Sequence, residues 1–208
     1  IYHFLIVFAE QNFFSEFIYY ESDEEKKLLK KLENKIKKKD YICELCILLI
    51  SMYKPLNKIN FLQTKLHNYI SKSYEFNKFL EYVFHNPKKD KEVSISMKSM
   101  SNFSNKISKL MKSQYEENPF PRWRYTLRPM EGVDINEVTK SFSQTFFKKP
   151  EILIAGCGTG QQALIWSSYK DSKIYAVDLS RESLAYAIRK AKEKNIKNVN
   201  FYHLDLLD

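Results

Sequence analysis

The 208-residue chain is 44% hydrophobic and 15% aromatic and carries a formal net charge of +9. This composition supports one large domain or two small ones with packed cores, and it excludes a disordered chain. Lysine supplies most of the positive charge, and charge alone is weak support for a partner. We interpret the charge as compositional background and do not expect the protein to bind nucleic acid.

The apolar start of the chain, IYHFLIVFAE, is followed at once by Gln11 and Asn12. It is too short to span a membrane, and it lacks the basic region and cleavage site of a signal peptide. We expect a cytoplasmic protein that has no membrane segment. Because residue 1 is Ile rather than Met, we interpret the chain as a fragment that begins inside a helix.

The cysteines are few and odd in number, namely Cys43, Cys46 and Cys157. Such a set argues against a disulfide framework and favours a reducing compartment. Cys43 and Cys46 match C-x-x-C but lie in an apolar run, and no second pair completes a metal site. We expect them to pack in the core, and we expect no metal centre.

Residues 1–87 are predicted to form an all-helical region. Ser22 can cap a helix, and Glu25 completes a capping box three residues later. Tyr41–Tyr53 is apolar almost all round, which predicts a central buried helix that Pro55 ends. The spacing of apolar residues predicts further helices over 1–20, 61–70 and 74–84.

Residues 88–150 are predicted to connect the helical region to the rest of the chain. Asn86-Pro87 is expected to close the preceding helix, and the charged run 88–92 is expected to mark the boundary. An amphipathic helix is predicted from Ser94 to Ser113, ending near Asn118. A shorter helix is predicted over Asp134–Phe147.

The segment QYEENPFPRW, residues 114–123, combines two prolines with Tyr115, Phe120 and Trp123. Prolines hold the backbone extended. Aromatic rings on a stiff segment can stack on a planar ligand or cover a pocket. Composition alone leaves two interpretations open, a cap over a ligand and a rigid linker between domains.

Strands and helices alternate in residues 151–208. This pattern predicts an α/β fold in which the helical region precedes the first half of a Rossmann-like, doubly wound parallel sheet. The predicted strands are Ile152–Ala155, Lys173–Val177 and Val199–His203, and the predicted helices are Thr159–Tyr169 and Ser180–Lys194.

A glycine turn separates the first strand from the helix that follows it. Gly156, Gly158 and Gly160 are three of the four glycines in the chain. Glycine permits positive φ and lets a ligand lie directly against the backbone. A strand, a glycine turn and a helix N-terminus together predict a site for the polar part of a nucleotide-like ligand.

Two carboxylates follow the later strands. Asp178 lies 22 residues beyond Gly156, close to the spacing of an acid that binds ribose hydroxyls. Asp205 lies just past the third strand, where it could accept from the exocyclic amine of adenine. Both are expected at the carboxyl edge of the sheet, where such folds bind ligands.

These segments resemble the class I S-adenosylmethionine-dependent methyltransferases. The matching stretches are ILIAGCGTG (152–160), IYAVDLS (174–180) and FYHLDLL (201–207). In that family the glycine turn lies against methionine and ribose, the first acid binds ribose, and the second lies at adenine. The resemblance implies a cofactor site made of Gly156, Cys157, Gly158, Thr159, Gly160, Gln161, Asp178, Leu179, Asp205 and Leu206.

One position departs from the family pattern. Many members carry an acidic residue two positions before the first glycine, where this chain has Ile154. Backbone carbonyls or another residue would then bind the methionine amino group, and Gln161 and Gln162 are polar candidates. Cys157 is expected to be a small turn residue and not a nucleophile.

A wider resemblance links QYEENPFPRW and LIAGCGTGQ to a bacterial group of methyltransferases that often carry tetratricopeptide repeats. QNFFSEF, residues 11–17, resembles a helical segment of that group, although residues 1–87 show no fixed-period repeat. This resemblance favours the cap interpretation of the proline-containing segment. The implied cap residues are Tyr115, Asn118, Phe120, Arg122 and Trp123.

The expected protein is therefore the cofactor-binding half of an S-adenosylmethionine-dependent methyltransferase, with an unknown acceptor and no assigned catalytic residue. Its expected domains are 1–87, 88–150 and 151–208. The family continues through four more strands, so we expect the first strand at a bare edge and a chain that is poorly stable and inactive alone.

Two alternatives remain open. An NAD-dependent oxidoreductase fits poorly, because its G-x-G-x-x-G fingerprint needs glycine where this chain has Gln161. The other alternative is a non-enzymatic helical interaction module with a degenerate nucleotide fold, which would bind a protein partner through the helical region.

Overall fold

The computed structural model describes residues 1–106, 108, 119, 121–126 and 132–208. The chain divides into two compact units, Ile1–Lys89 and Asp90–Asp208. The first is helical and the second contains a parallel sheet, as the sequence predicts. The domain boundaries after residues 87 and 150 stay predictions.

Short helices build the first unit around an apolar core. They are α1 (Tyr2–Phe14), α2 (Asp23–Lys37), α3 (Glu44–Ser51), α4 (Asn60–Leu66) and α5 (Tyr74–Leu80), with a 3₁₀ turn at Leu56–Lys58 and a π turn at Glu81–His85. The next helix, α6 (Asn86–Ser96), begins in this unit and ends in the second. The predicted capping box is confirmed, because Ser22 and Glu25 each accept a hydrogen bond from the other's backbone N–H. These two bonds satisfy donors that the first turn of α2 would otherwise leave unpaired.

Helix α3 contributes Ile47, Leu48 and Ile50 to the core of this unit, all without solvent exposure. The prediction of a central buried helix holds for this side of α3 but is wrong for the other side, because Leu45 and Leu49 are 49% and 42% exposed. The helix is also shorter than predicted. An apolar sequence shows that a helix can be buried, but the packing of its neighbours decides which side is covered.

Cys46 packs against the apolar core of this unit, as predicted, but the argument against a disulfide is wrong for the pair Cys43 and Cys46. A disulfide joins them at the start of α3. Cys43 is the residue before the helix, and this geometry brings the two Cα atoms to 5.2 Å, within the range that a disulfide spans. The sparse cysteines therefore no longer support a reducing compartment.

The prediction that a helix ends at Asn86-Pro87 is also wrong. Helix α5, the π turn and α6 follow one another without a break, and α6 runs through the charged residues 88–92. Proline lacks an N–H, and its ring clashes with the carbonyl four residues back. Here the N–H of Asn86 bonds to the carbonyl of Glu81, five residues back, and this wider π turn accommodates Pro87.

The second unit contains α7 (Ile135–Thr139), β1 (Glu151–Ala155), α8 (Gln161–Trp166), β2 (Lys173–Asp178), α9 (Arg181–Glu193) and β3 (Val199–His203). The three strands are parallel in the order β1-β2-β3. Ile152 aligns with Ile174, and both lie with residues of α8 and α9 in one apolar core. On the opposite face of β1, Leu153 is 61% exposed.

Two predicted helices differ from the structure. The helix predicted over Ser94–Ser113 is wrong in its first part, because α6 ends at Ser96 and residues 97–105 are not helical, whereas residues 106 and 108 are. In the non-helical part, Met100 N–H bonds to the carbonyl of His203 at the end of β3. Residues 107 and 109–118 lie outside the described part of the chain. Helix α7 ends at Thr139, because the Asn136 side chain bonds both backbone groups of Phe147 and closes a loop.

Candidate functional site

A pocket of about 700 Å³ lies beside the carboxyl ends of the strands in the second unit. This is the edge at which parallel α/β sheets bind ligands. Its walls come from the turn after β1, from the residues after β2 and β3, and from two positions earlier in the chain. The lining residues are Ser108, Pro121, Gly156, Cys157, Gly158, Thr159, Gln161, Gln162, Val177, Asp178, Leu179, Ser183, Leu204, Asp205, Leu206 and Leu207.

The turn after β1 brings backbone close to the pocket. Gly156 and Gly158 have φ values of +66° and +51°, which residues with a Cβ rarely adopt. A Cβ built on either would meet no other atom within 4 Å. Both glycines therefore leave space beside the pocket that a side chain would fill and that a ligand can use.

Gly160 has a different role from the other two glycines and is not part of the pocket wall. Its φ is +78°, and a Cβ there would lie 2.5 Å from the Cβ of Ala187 on α9. Real carbon atoms do not approach this closely, so the start of α8 can contact α9 only because residue 160 is glycine. The third glycine thus fixes the packing of two helices.

Asp178 connects the glycine turn to the start of α9. Its Oδ2 accepts from Gly158 N–H at 2.7 Å, and its Oδ1 accepts from Ser180 N–H at 2.8 Å. A carboxylate has about four acceptor positions, so these two bonds leave capacity for hydroxyl donors of a ligand. Asp178 therefore holds the turn in place and also lines the pocket.

Asp205 is 3% exposed, and the segment before residue 108 anchors its backbone. Asp205 N–H donates to Ser101 Oγ, whose hydroxyl is in turn placed to donate to the Asp205 carbonyl. Oδ1 accepts from Leu207 N–H at 2.9 Å. Oδ2 is buried and has no hydrogen-bond partner within the described part of the chain.

A buried polar atom without a hydrogen-bond partner destabilises a protein by roughly 1–3 kcal/mol. A ligand that donates a hydrogen bond to this acceptor would remove that cost. The exocyclic amine of adenine is such a donor. Asp205 Oδ2 and the open space at Gly156 and Gly158 therefore fit an adenosine-type cofactor.

Cys157 is 9% exposed and lies on the pocket wall. Burial, and then the charge of Asp178, raise the pKa of its thiol well above the usual range. Because the thiolate is the nucleophilic form of cysteine, this residue is poorly suited to covalent chemistry at neutral pH.

The cap residues separate into two groups. Tyr115, Asn118 and Phe120 lie outside the described part of the chain. Arg122 is partly buried, and burial lowers its pKa to about 10, so it stays charged at neutral pH. Trp123 is 6% exposed and packs in the sheet core instead of lining the pocket, while its neighbour Pro121 does line it.

Ile154, which occupies the position of the family's acid, is 5% exposed and packs in the core beneath the helices. The chain has no carboxylate at that position. Gln161 and Gln162 both line the pocket, as do Leu179 and Leu206. The structure thus brings together every predicted cofactor residue except Gly160 on one cavity.

Sequence reasoning missed several pocket residues. Ser183 could have been found, because it lies in the first turn of α9, a few residues after Asp178. Ser108 and Pro121 could not, since they precede the first strand and reach the pocket only through the tertiary fold.

Within the described ranges, no group of three or more His, Cys, Asp and Glu side chains is arranged to hold a metal ion. Across those same ranges, no helix combines the length and apolar character of a membrane span.

Residues 152–208 match a family model described as a methyltransferase domain. No curated protein matches the chain. Among the solved structures that match is coclaurine N-methyltransferase bound to N-methylheliamine and SAH, with 18% identity and a TM-score of 0.33. The match covers 86% of this chain and 50% of that one, so the chain spans about half the length of that enzyme. At this TM-score the likeness carries no argument about activity.

Proposed function

We propose that the protein is an S-adenosylmethionine-dependent methyltransferase whose second unit binds the cofactor. The observation that carries the proposal is the buried Oδ2 of Asp205, which has no hydrogen-bond partner among the described residues and belongs to a pocket that the glycine turn also lines. The family match over 152–208 supports the same activity.

Each part of the pocket has a proposed role. The backbone at Gly156 and Gly158 lies against the amino-acid and ribose parts of the cofactor. Asp178 accepts from the ribose hydroxyls while it keeps the turn in position through Gly158 N–H. Asp205 Oδ2 accepts from the adenine amine. Gln161 supplies polar contact near the amino-acid end.

When bound, S-adenosylmethionine would supply an electrophilic methyl group, which the acceptor's nucleophile would take by in-line displacement with neutral S-adenosylhomocysteine as the leaving group. The residues of this chain bind and orient the reactants and exclude water. The apolar wall residues Val177, Leu204 and Leu207 limit solvent access. The methyl acceptor, a small molecule or a protein, has no assigned contact among the described residues.

A calorimetric titration tests the proposal against the alternatives. S-adenosylhomocysteine should bind, and NAD should bind far more weakly, because Gln161 replaces the glycine that a dinucleotide fingerprint requires. Preferential binding of NAD would favour an oxidoreductase. Binding of neither ligand, with capture of a protein partner through residues 1–110, would favour the helical interaction module.

The proposal includes a cytoplasmic enzyme, and it keeps open a protein partner that binds the helical region. Exposed apolar side chains on α1, including Phe4 at 66% and Val7 at 50%, are compatible with such a partner.

A further inference from the structure

Two residues that line the same pocket each carry a buried polar atom that lacks a hydrogen-bond partner in the described part of the chain. One is Asp205 Oδ2, and the other is the hydroxyl of Ser108, whose residue is 2% exposed. Buried polar groups are nearly always hydrogen-bonded. Two orphaned groups on one cavity therefore indicate that a ligand completes them.

Ser108 belongs to the Asp205 end of the pocket. Four residues earlier, the Ser104 hydroxyl bonds to Asp208 at 2.6 Å, and Ser101 holds the backbone of Asp205. The stretch before Ser108 is thus anchored along the residues that follow β3. A chain of four residues spans at most roughly 14 Å, which keeps Ser108 near that end.

We propose that the Ser108 hydroxyl binds the adenine base beside Asp205, so that a residue outside the methyltransferase-like stretch 152–208 contributes to cofactor specificity. This inference rests on the proposed function. Adenine presents an amine donor with a ring-nitrogen acceptor on each side of it, N1 and N7. Asp205 accepts from the amine, and the Ser108 hydroxyl donates to the ring nitrogen.

The pairing also explains why each atom is buried without a hydrogen-bond partner among the described residues. Asp205 Oδ2 is an acceptor and Ser108 Oγ can donate. An acceptor and a donor among the residues that line one pocket suit the edge of adenine. A 6-oxo base has a hydrogen-bond acceptor in place of the amine and an N–H donor at N1. It therefore cannot pair with Asp205 and Ser108 in this way, and the site should reject it.

Ser108→Ala tests the proposal in a titration of the protein with S-adenosylhomocysteine and its 1-deaza and 7-deaza analogues, each lacking one ring nitrogen. The wild type should bind one analogue about five- to tenfold more weakly than the parent ligand, as for one lost hydrogen bond. The Ser108→Ala protein should bind S-adenosylhomocysteine more weakly than the wild type does, by a similar factor. It should bind S-adenosylhomocysteine and that analogue with equal affinity. Ser96→Ala, which removes an exposed hydroxyl bonded to Val93, is the matched control.

The ligand-free melting temperature separates this role from a structural one. Removal of an unpartnered hydroxyl should leave that temperature unchanged or raise it. A fall in melting temperature with unchanged affinity would overturn the proposal, as would a Ser108→Ala protein that keeps the wild-type preference against both analogues. If the wild type does not bind S-adenosylhomocysteine at all, the proposed function fails as well.

Discussion

The indole Nε1 of Trp123 donates a hydrogen bond to the carbonyl oxygen of Thr159 over 3.1 Å. The Thr159 hydroxyl donates in return to the carbonyl of Pro121 at 2.7 Å. Trp123 and Thr159 are 6% and 2% exposed. A segment that precedes the sheet by some thirty residues thus holds the glycine turn through two buried hydrogen bonds.

Tyr186 on α9 anchors this segment from the other side. Its hydroxyl accepts from Trp123 N–H at 3.0 Å and donates to the Trp123 carbonyl. Burial raises the pKa of Tyr186 to about 12, so the donor proton is present at neutral pH. The turn that would contact the cofactor is therefore fixed between α9 and the 121–123 segment.

Trp123→Phe should weaken binding of S-adenosylhomocysteine, because it removes the indole N–H and leaves the buried Thr159 carbonyl without that donor. The expected loss in unfolding free energy is about 1–3 kcal/mol. Calorimetry and urea denaturation measure the two effects. Trp166→Phe, which removes an indole from the same core away from the turn, should leave the affinity unchanged.

Gly160→Ala should destabilise the second unit more than Gly158→Ala. Both positions have positive φ, which costs an alanine about 1–2 kcal/mol. At residue 160 the new Cβ would also lie 2.5 Å from that of Ala187. Thermal unfolding should show the difference, and Ala187→Gly should restore part of the stability of Gly160→Ala only. Equal losses at the two glycines would contradict this packing role.

Asp205→Asn should lower the affinity for S-adenosylhomocysteine about tenfold or more, because hydrogen bonds to charged groups contribute about 1.5–3 kcal/mol. The amide can still accept from Leu207 N–H through one oxygen, so the melting temperature without ligand should change little. Asp23→Asn, at a side chain that is 88% exposed, controls for the loss of one charge. An unchanged affinity would show that Asp205 does not contact the cofactor.

Arg189 and Asp90 form a buried, two-bond ion pair, with Nε–Oδ1 at 2.7 Å and Nη2–Oδ2 at 3.0 Å. Burial acts to lower the pKa of Arg189, but the bonds and charge of Asp90 outweigh it and raise that pKa above its usual value. Arg189→Met leaves the Asp90 carboxylate buried without this partner.

The expected loss for Arg189→Met is about 3–5 kcal/mol of unfolding free energy. Urea denaturation monitored on the second unit checks it. The exposed pair Lys140–Glu137 provides the control, since Lys140→Ala should cost no more than about 0.5 kcal/mol. A similar small loss for both variants would show that the buried pair contributes little.

The local features of the molecule were predictable from its sequence. The capping box at Ser22, the three strands and the glycine turn each depend on residues a few positions apart, and their spacing identifies them. The parallel arrangement of the strands was also predictable, because strands that alternate with helices form parallel sheets.

Several contacts of the site could not be predicted because they join residues distant in the chain. Ser101 meets Asp205 across 104 residues, and Trp123 meets Thr159 across 36. No spacing rule connects such pairs. Pro87 was misread for a local reason, since a π turn accommodates a proline that an ordinary helix excludes.

The central claim is that the pocket binds the adenosine part of S-adenosylmethionine, and a crystal structure of the protein with S-adenosylhomocysteine tests it most directly. The account predicts the adenine amine within hydrogen-bond distance of Asp205 Oδ2, the ribose hydroxyls at Asp178, and the chain of the ligand against Gly156 and Gly158. Adenine bound away from Asp205, or a ligand bound outside this pocket, would contradict the account.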